Sequence, residues 1–159
     1  MSQEVQGEGM MHLGVDPGQS GAIAVVFDSP VSNRAAAVAL AKMTEKDIYD
    51  YLQEMGERGD VAALIEQVHS MPGQGVVSSF KFGVSYGGLR MALIAAGIPF
   101  EAVTPQKWKA AIGLAKKKGE GNTDYKNRSK ARAQELFPQL TITHANAEAL
   151  LLAWYGGRR

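Results

Sequence analysis

Two short apolar stretches that each end in a carboxylate constrain this chain most: His12-Leu-Gly-Val-Asp16, stopped by Pro17-Gly18, and Val61-Ala-Ala-Leu-Ile-Glu66. An acid at the end of a buried strand is costly to desolvate unless a partner or a cation meets it. Glu66 is the harder of the two to explain otherwise, because Asp16 before Pro-Gly also suits an ordinary turn. A third acid, Glu148, stands among Ala147, Ala149, Leu150 and Leu151, at the edge of an apolar stretch. His144 precedes it by four residues, which puts both on one face of a helix. His144 by itself reads as a helix-start residue. Together Asp16, Glu66, His144 and Glu148 form one candidate site for a divalent cation, and such a site suggests phosphodiester chemistry. Hard oxygen donors suit Mg²⁺ or Mn²⁺.

The remaining pattern supplies a frame for that site. Gly21 to Phe27 is β-branched and returns from the Pro-Gly turn, so the first two strands form a hairpin. Ala36 to Ala41 is a weaker third strand. Thr44 caps a helix running to about Met55, with Ile48, Tyr51, Leu52 and Met55 at helical spacing and Gly56 as its stop. After the strand ending at Glu66 comes a Pro-Gly-Gln-Gly loop, then a helix from about Val77 to Ala96. Gly83, Gly87 and Gly88 inside that helix each cost about 1 kcal/mol relative to alanine, which points to close approach of another helix or a ligand. Phe80, Gly83 and Gly87 are its candidate dimer face. Phe100 to Val103 is a further strand, and Thr104-Pro105 opens a short helix through Trp108 to Ile112. Helices over Asn127 to Phe137 and Thr143 to about Tyr155 complete a mixed α/β sheet layered with helices. If the strands carrying Asp16 and Glu66 are adjacent and parallel, both acids reach one edge.

The chain has 159 residues, enough for one buried core and too few for two. Residues 1–10 read as a disordered segment and 11–159 as a single domain. The sequence has no cysteine, which excludes disulfides and thiolate metal sites and fits a reducing, cytoplasmic setting. No apolar run is long enough for a membrane span. The net charge of +1 hides an asymmetry: residues 1–70 hold 4 basic and 11 acidic residues, and residues 71–159 hold 13 basic and 5 acidic. Lys116, Lys117, Lys118, Lys126, Arg128, Lys130 and Arg132 crowd the segment after Ala115, with Gly119 and Gly121 between them, as a mobile cationic loop suited to a phosphate backbone.

The ordered set Gly14-Val-Asp-Pro-Gly-Gln-Ser-Gly-Ala-Ile-Ala, Ile65-Glu-Gln-Val-His-Ser-Met-Pro-Gly-Gln-Gly, Phe82-Gly-Val-Ser-Tyr-Gly, Val103-Thr-Pro-Gln-Lys-Trp-Lys, Leu136-Phe-Pro and His144-Ala-Asn-Ala-Glu-Ala-Leu-Leu-Leu-Ala resembles the phage-type branch of RuvC-like Holliday-junction resolvases. The resemblance spans residues 12 to 157. It implies an RNase H-like mixed five-stranded sheet flanked by helices, a homodimer, and Mg²⁺- or Mn²⁺-dependent nicking of two symmetric strands of a four-way DNA junction. For a phage protein, that means the host cytoplasm. By position, Asp16, Glu66 and Glu148 match the family's acids. Bacterial members place a further aspartate one turn before the last acid, where this chain has Ala145, with His144 just before it. That leaves His144 as a nitrogen ligand or a proton-transfer group, and Asn146 as a neutral oxygen ligand.

On this reading two ions about 4 Å apart serve each site, activating water and stabilising the leaving 3′ oxygen. The products carry 5′-phosphate and 3′-hydroxyl ends. Lys109 joins the catalytic set and, with Lys107, neutralises the scissile phosphate. His69, three residues beyond Glu66, takes the place of an aromatic residue that stacks at the junction centre. No nucleotide cofactor is expected, since an actin-like ATPase needs a second, duplicated domain. The alternative is another RNase H-like nuclease, acting on flaps, other branched DNA or RNA.

Overall fold

The computed structural model describes residues 9–29, 33–69 and 72–159. Its elements are β1 (Met11–Asp16), β2 (Ala22–Phe27), β3 (Ala35–Ala39), a 3₁₀ turn (Leu40–Lys42), α1 (Glu45–Arg58), β4 (Val61–Glu66), α2 (Val76–Ala95), β5 (Phe100–Val103), α3 (Pro105–Ala111), α4 (Asn122–Leu136) and α5 (His144–Gly156). The five strands form one mixed sheet in the order β3-β2-β1-β4-β5. The β1–β2 and β2–β3 pairs are antiparallel, whereas β4 runs parallel to both β1 and β5. Val15 pairs with Ile65, so the next residues, Asp16 and Glu66, end their strands side by side.

Strand alternation decides which way those acids face. Met11, Leu13, Val15, Ala63 and Ile65 point to the layer made by α1 and α2. Ala22, Ala24, Val26 and Leu64 point to the opposite layer, built by α3, α4 and α5. Asp16 shares the phase of Gly14, and Glu66 that of Leu64, so both carboxylates face α5. The α5 backbone approaches the sheet closely over small residues. A Cβ on Gly14 would lie 2.1 Å from the Ala149 carbonyl oxygen and 2.5 Å from the Ala153 nitrogen. Leu150, Leu151 and Leu152 are fully buried around that contact. Each contributes about 1.5–3 kcal/mol of burial, which seats the helix that carries Glu148 firmly.

Several elements differ from their sequence reading. α1 continues past Gly56 to Arg58. Gly56 is an interior position facing α2's end, where a Cβ would come within 3.1 Å of the Ala96 carbonyl oxygen, so it serves packing rather than termination. The third strand is Ala35–Ala39, and Leu40–Lys42 turns instead of extending it. α4 begins at Asn122, earlier than its apolar pattern indicates, and takes Lys126, Arg128, Lys130 and Arg132 into a helix. The cationic segment is therefore a short turn followed by a helix, not one mobile loop. Arg128 pins that turn, donating to both Glu120 carboxylate oxygens at 2.9 Å and to the Ala115 carbonyl at 2.8 Å. Gly83, Gly87 and Gly88 have no close neighbour among the described residues, since a Cβ on any of them would meet open space there. Of the expected disordered segment 1–10, residues 1–8 lie outside the described residues; the Met10 carbonyl accepts from Asp28 N–H at 3.0 Å.

Candidate active site

Asp16, Glu66 and Glu148 converge at the edge where β1 and β4 end, each offering a carboxylate oxygen that lies within 4.8 Å of the others. Three elements distant in sequence supply them: the hairpin strand, the central parallel strand and the last helix. Local chemistry holds each in place. Thr143 and Asn146 form a reciprocal capping box that starts α5 one turn before Glu148. The Asn146 side chain is committed there, accepting from Thr143 N–H at 2.8 Å and donating to the Thr141 carbonyl at 3.1 Å. It is a helix cap, and its oxygen is not offered to the acids. His144, the first residue of α5, is exposed and falls outside the carboxylate group among the described residues.

The short helix α3 reaches the acids from the side. Thr104 caps it and Pro105 occupies its first turn. Two consecutive side chains then turn inward. Trp108, fully buried, donates its indole N–H to Glu66 Oε2 at 2.9 Å. Lys109, only 8% exposed, donates to Glu148 Oε1 at 2.8 Å. Its ammonium also sits 4.9 Å from the Tyr125 ring centre, and Arg128 approaches the same ring at 5.5 Å. Through Tyr125 the turn at 115–121 is joined mechanically to the acidic cluster.

The electrostatics are those of a site short of positive charge. Burial, with the charges of Glu66 and Glu148, raises the Asp16 carboxyl well above the usual carboxylate range against the pull of Lys109. Glu66 is raised by burial and by Glu148, opposed by the Trp108 hydrogen bond and by Lys109. For Lys109, burial works against the charge, yet the charge and hydrogen bond of Glu148, aided by Glu66 and Tyr125, win and lift it. Three acids this close favour a multivalent cation over three separate ionised groups. An all-oxygen donor set suits hard ions such as Mg²⁺ or Mn²⁺.

The other residues singled out in the sequence lie around this edge or on neighbouring surfaces. His69 is exposed in the loop after β4, and Lys107 is exposed on α3. Lys116 bonds Asn122 Oδ1 at 2.6 Å, while Lys117, Lys118 and Lys126 extend into solvent and Lys130 is half-buried. Phe80, 72% exposed, lies on the outer face of α2 with Gly83 and Gly87. Sequence reasoning assigned no role to Trp108 or Tyr125. The available signal was that a buried tryptophan needs an acceptor for its N–H, and Trp108 directly precedes the lysine chosen for the site.

A mixed five-stranded sheet flanked by helices, with carboxylates ending its adjacent central strands and a third on the last helix, is an RNase H-like fold of the RuvC type carrying an acidic, metal-competent centre. No known family profile and no curated protein matches the chain. Among solved structures it is similar to Thermus thermophilus RuvC in complex with a Holliday junction substrate, with 19% identity, a TM-score of 0.58, and 92% of this chain and 91% of that one covered. It is similar also to a second structure of Thermus thermophilus RuvC, at 18% identity and a TM-score of 0.54, with 92% of each chain covered. These likenesses place the fold over nearly the whole chain.

Proposed function

We propose that this protein is a divalent-cation-dependent endonuclease that resolves four-way DNA junctions by paired nicks, leaving 5′-phosphate and 3′-hydroxyl ends. The observation that carries this reading is the convergence of Asp16, Glu66 and Glu148 within 4.8 Å, with Lys109 seated against them. The likeness to a RuvC bound to a junction supports the choice of substrate.

Asp16, Glu66 and Glu148 would hold Mg²⁺ or Mn²⁺, which when bound supplies positive charge to the scissile phosphate and acidifies a water. Lys109 Nζ adds charge to the phosphate at the same edge, and Lys107 lies one residue from the buried face of α3. His144 stands at the exposed start of α5, outside the carboxylate group among the described residues, and from there its ring nitrogen serves in proton transfer or as a further ligand. Phosphate contacts from Lys116, Lys117, Lys118, Lys126 and Lys130 position the duplex arms without reading their sequence. Arg128 supports that surface by holding the turn through Glu120. His69 stacks at the opened junction centre.

A symmetric substrate with two opposed scissile strands calls for two symmetric sites. The outer face of α2 offers a self-complementary seam: Val77, Phe80, Val84, Gly87, Met91 and Ile94 follow alternating three- and four-residue steps, and the five with apolar side chains are all exposed. That spacing is the apolar repeat by which two helices pack against each other. Gly83 borders the seam and, with Gly87, admits a partner backbone.

Asp16→Asn and Glu66→Gln test the site. Each removes a ligand charge and leaves the phosphate contacts in place, so junction cleavage should fall below detection while junction affinity in a gel-shift assay changes little. Mg²⁺-dependent nicking at the wild-type rate in either variant would rule the assignment out.

A further inference from the structure

We propose that Trp108 is a positioning residue for the cation site: its indole N–H fixes the Glu66 carboxylate so that this acid meets Asp16 and Glu148 in one geometry. The inference rests on the metal-dependent reading above and adds a residue that reading does not use.

Trp108 is fully buried among Leu114, Ala133, Phe137 and the α5 leucines, so its ring has no freedom to follow a moving partner. Its N–H ends 2.9 Å from Glu66 Oε2. A carboxylate side chain free at its last torsion presents either oxygen over a broad range of angles. Binding one oxygen to a rigid donor removes that freedom and leaves the other for the cluster. The partner is suited to the task. Indole has one donor and no acceptor, carries no charge, and has no accessible protonation change, so it orients the acid without neutralising it. Lys109, the next residue, does the opposite: it delivers charge to Glu148. A helix of seven residues thus supplies a neutral clamp for one acid and a cation for another from adjacent positions. Hydrogen bonds to ligating carboxylates, when removed, change metal affinity or activity by about 10–100-fold.

The test is Trp108→Phe, which keeps most of the buried ring and removes the donor. Two readouts are followed as functions of Mn²⁺: the rise in melting temperature of the DNA-free protein, and the initial nicking rate on a four-way junction. We expect the Mn²⁺ concentration at which the melting temperature starts to climb, and that giving half the maximal nicking rate, both to rise about 10–100-fold, with much of the wild-type rate recovered at saturating Mn²⁺. Phe137→Leu, a change in the same core away from Glu66, should lower stability and leave the Mn²⁺ dependence where it was. Trp108→Phe with wild-type Mn²⁺ dependence in both readouts would overturn the proposal. A Trp108→Phe shift matched by Phe137→Leu would overturn it too, by showing general loosening. If wild type itself shows no Mn²⁺-dependent melting shift, the metal reading fails first and takes this one with it.

Should Trp108→Phe not fold, the indole signal of protein that keeps Trp108 decides. The Trp108 indole N–H resonance, distinguished from that of Trp154 by Trp154→Phe, should move on Mg²⁺ addition and should lose its exchange protection in Glu66→Ala. An indole signal indifferent to both would overturn the inference.

Discussion

A carboxylate held among other carboxylates and away from water resists ionising, and Asp16 and Glu66 are both in that position. Both have folded-state pKa values raised above their unfolded ones. Their favourable contribution is therefore complete below the unfolded value, about pH 4, and is lost as pH rises through the folded value. At neutral pH without metal the site is a strain on the fold. Asp16→Asn should then melt higher than wild type in EDTA near pH 7.5, by about 2–4 °C for each kcal/mol relieved, and the gap should close as pH falls toward 4. Differential scanning calorimetry across that range checks it; a variant less stable than wild type at neutral pH would contradict the electrostatic picture. At this scale the acids were legible because an ionisable group after a buried apolar run has few uses. Asn146 was not, because its reciprocal bonds with Thr143 make it a cap, and sequence alone does not say whether an amide serves its own helix or a neighbouring site.

Among the elements, β1, β4, β5 and α5 followed directly from apolar runs bounded by turns and caps. The hairpin and the parallel β1–β4 pair that brings Asp16 beside Glu66 followed too. What escaped was α4, whose early turns hold Asn122, Thr123, Asp124, Lys126 and Asn127 and carry no apolar stripe. Its start is fixed by tertiary bonds that a local pattern does not contain: Arg128 to Glu120 and Ala115, and Tyr125 over Lys109. Arg128 and the Lys117 N–H hold the Glu120 carboxyl down to about 2, so this anchor persists throughout the neutral pH range. The turn it holds displays three consecutive lysines. Replacing Lys116, Lys117 and Lys118 together with alanine should weaken binding to every DNA form. The slope of log affinity against log salt should flatten by about 0.9 for each duplex phosphate that is no longer neutralised. Binding titrations at several salt concentrations measure this, and an unchanged slope would make the run a solvated surface.

At the scale of the whole molecule, α1 and α2 close one face of the sheet and α3, α4 and α5 the other, yet α2 still turns an apolar seam outward. Phe80, Val84, Met91 and Ile94 are all more than half exposed there. The glycines within α2 announced a close approach in the sequence, and the described residues leave them open, which is why assembly is the natural place to seek their partner. Gly83→Leu with Gly87→Leu should yield a monomer by analytical ultracentrifugation that no longer makes paired nicks. A monomeric wild type that still does so would refute the dimer. End-labelled cleavage of one junction beside duplex, flap and single-stranded DNA of the same sequences, with Mg²⁺, with Mn²⁺ and with EDTA, decides whether this protein is a cation-dependent nuclease that selects four-way junctions. The expected outcome is symmetric nicks in two opposed strands of the junction, religatable ends, little cutting of the other forms and none in EDTA. Equal or faster cleavage of flap or duplex, or junction cleavage that survives EDTA, would contradict it.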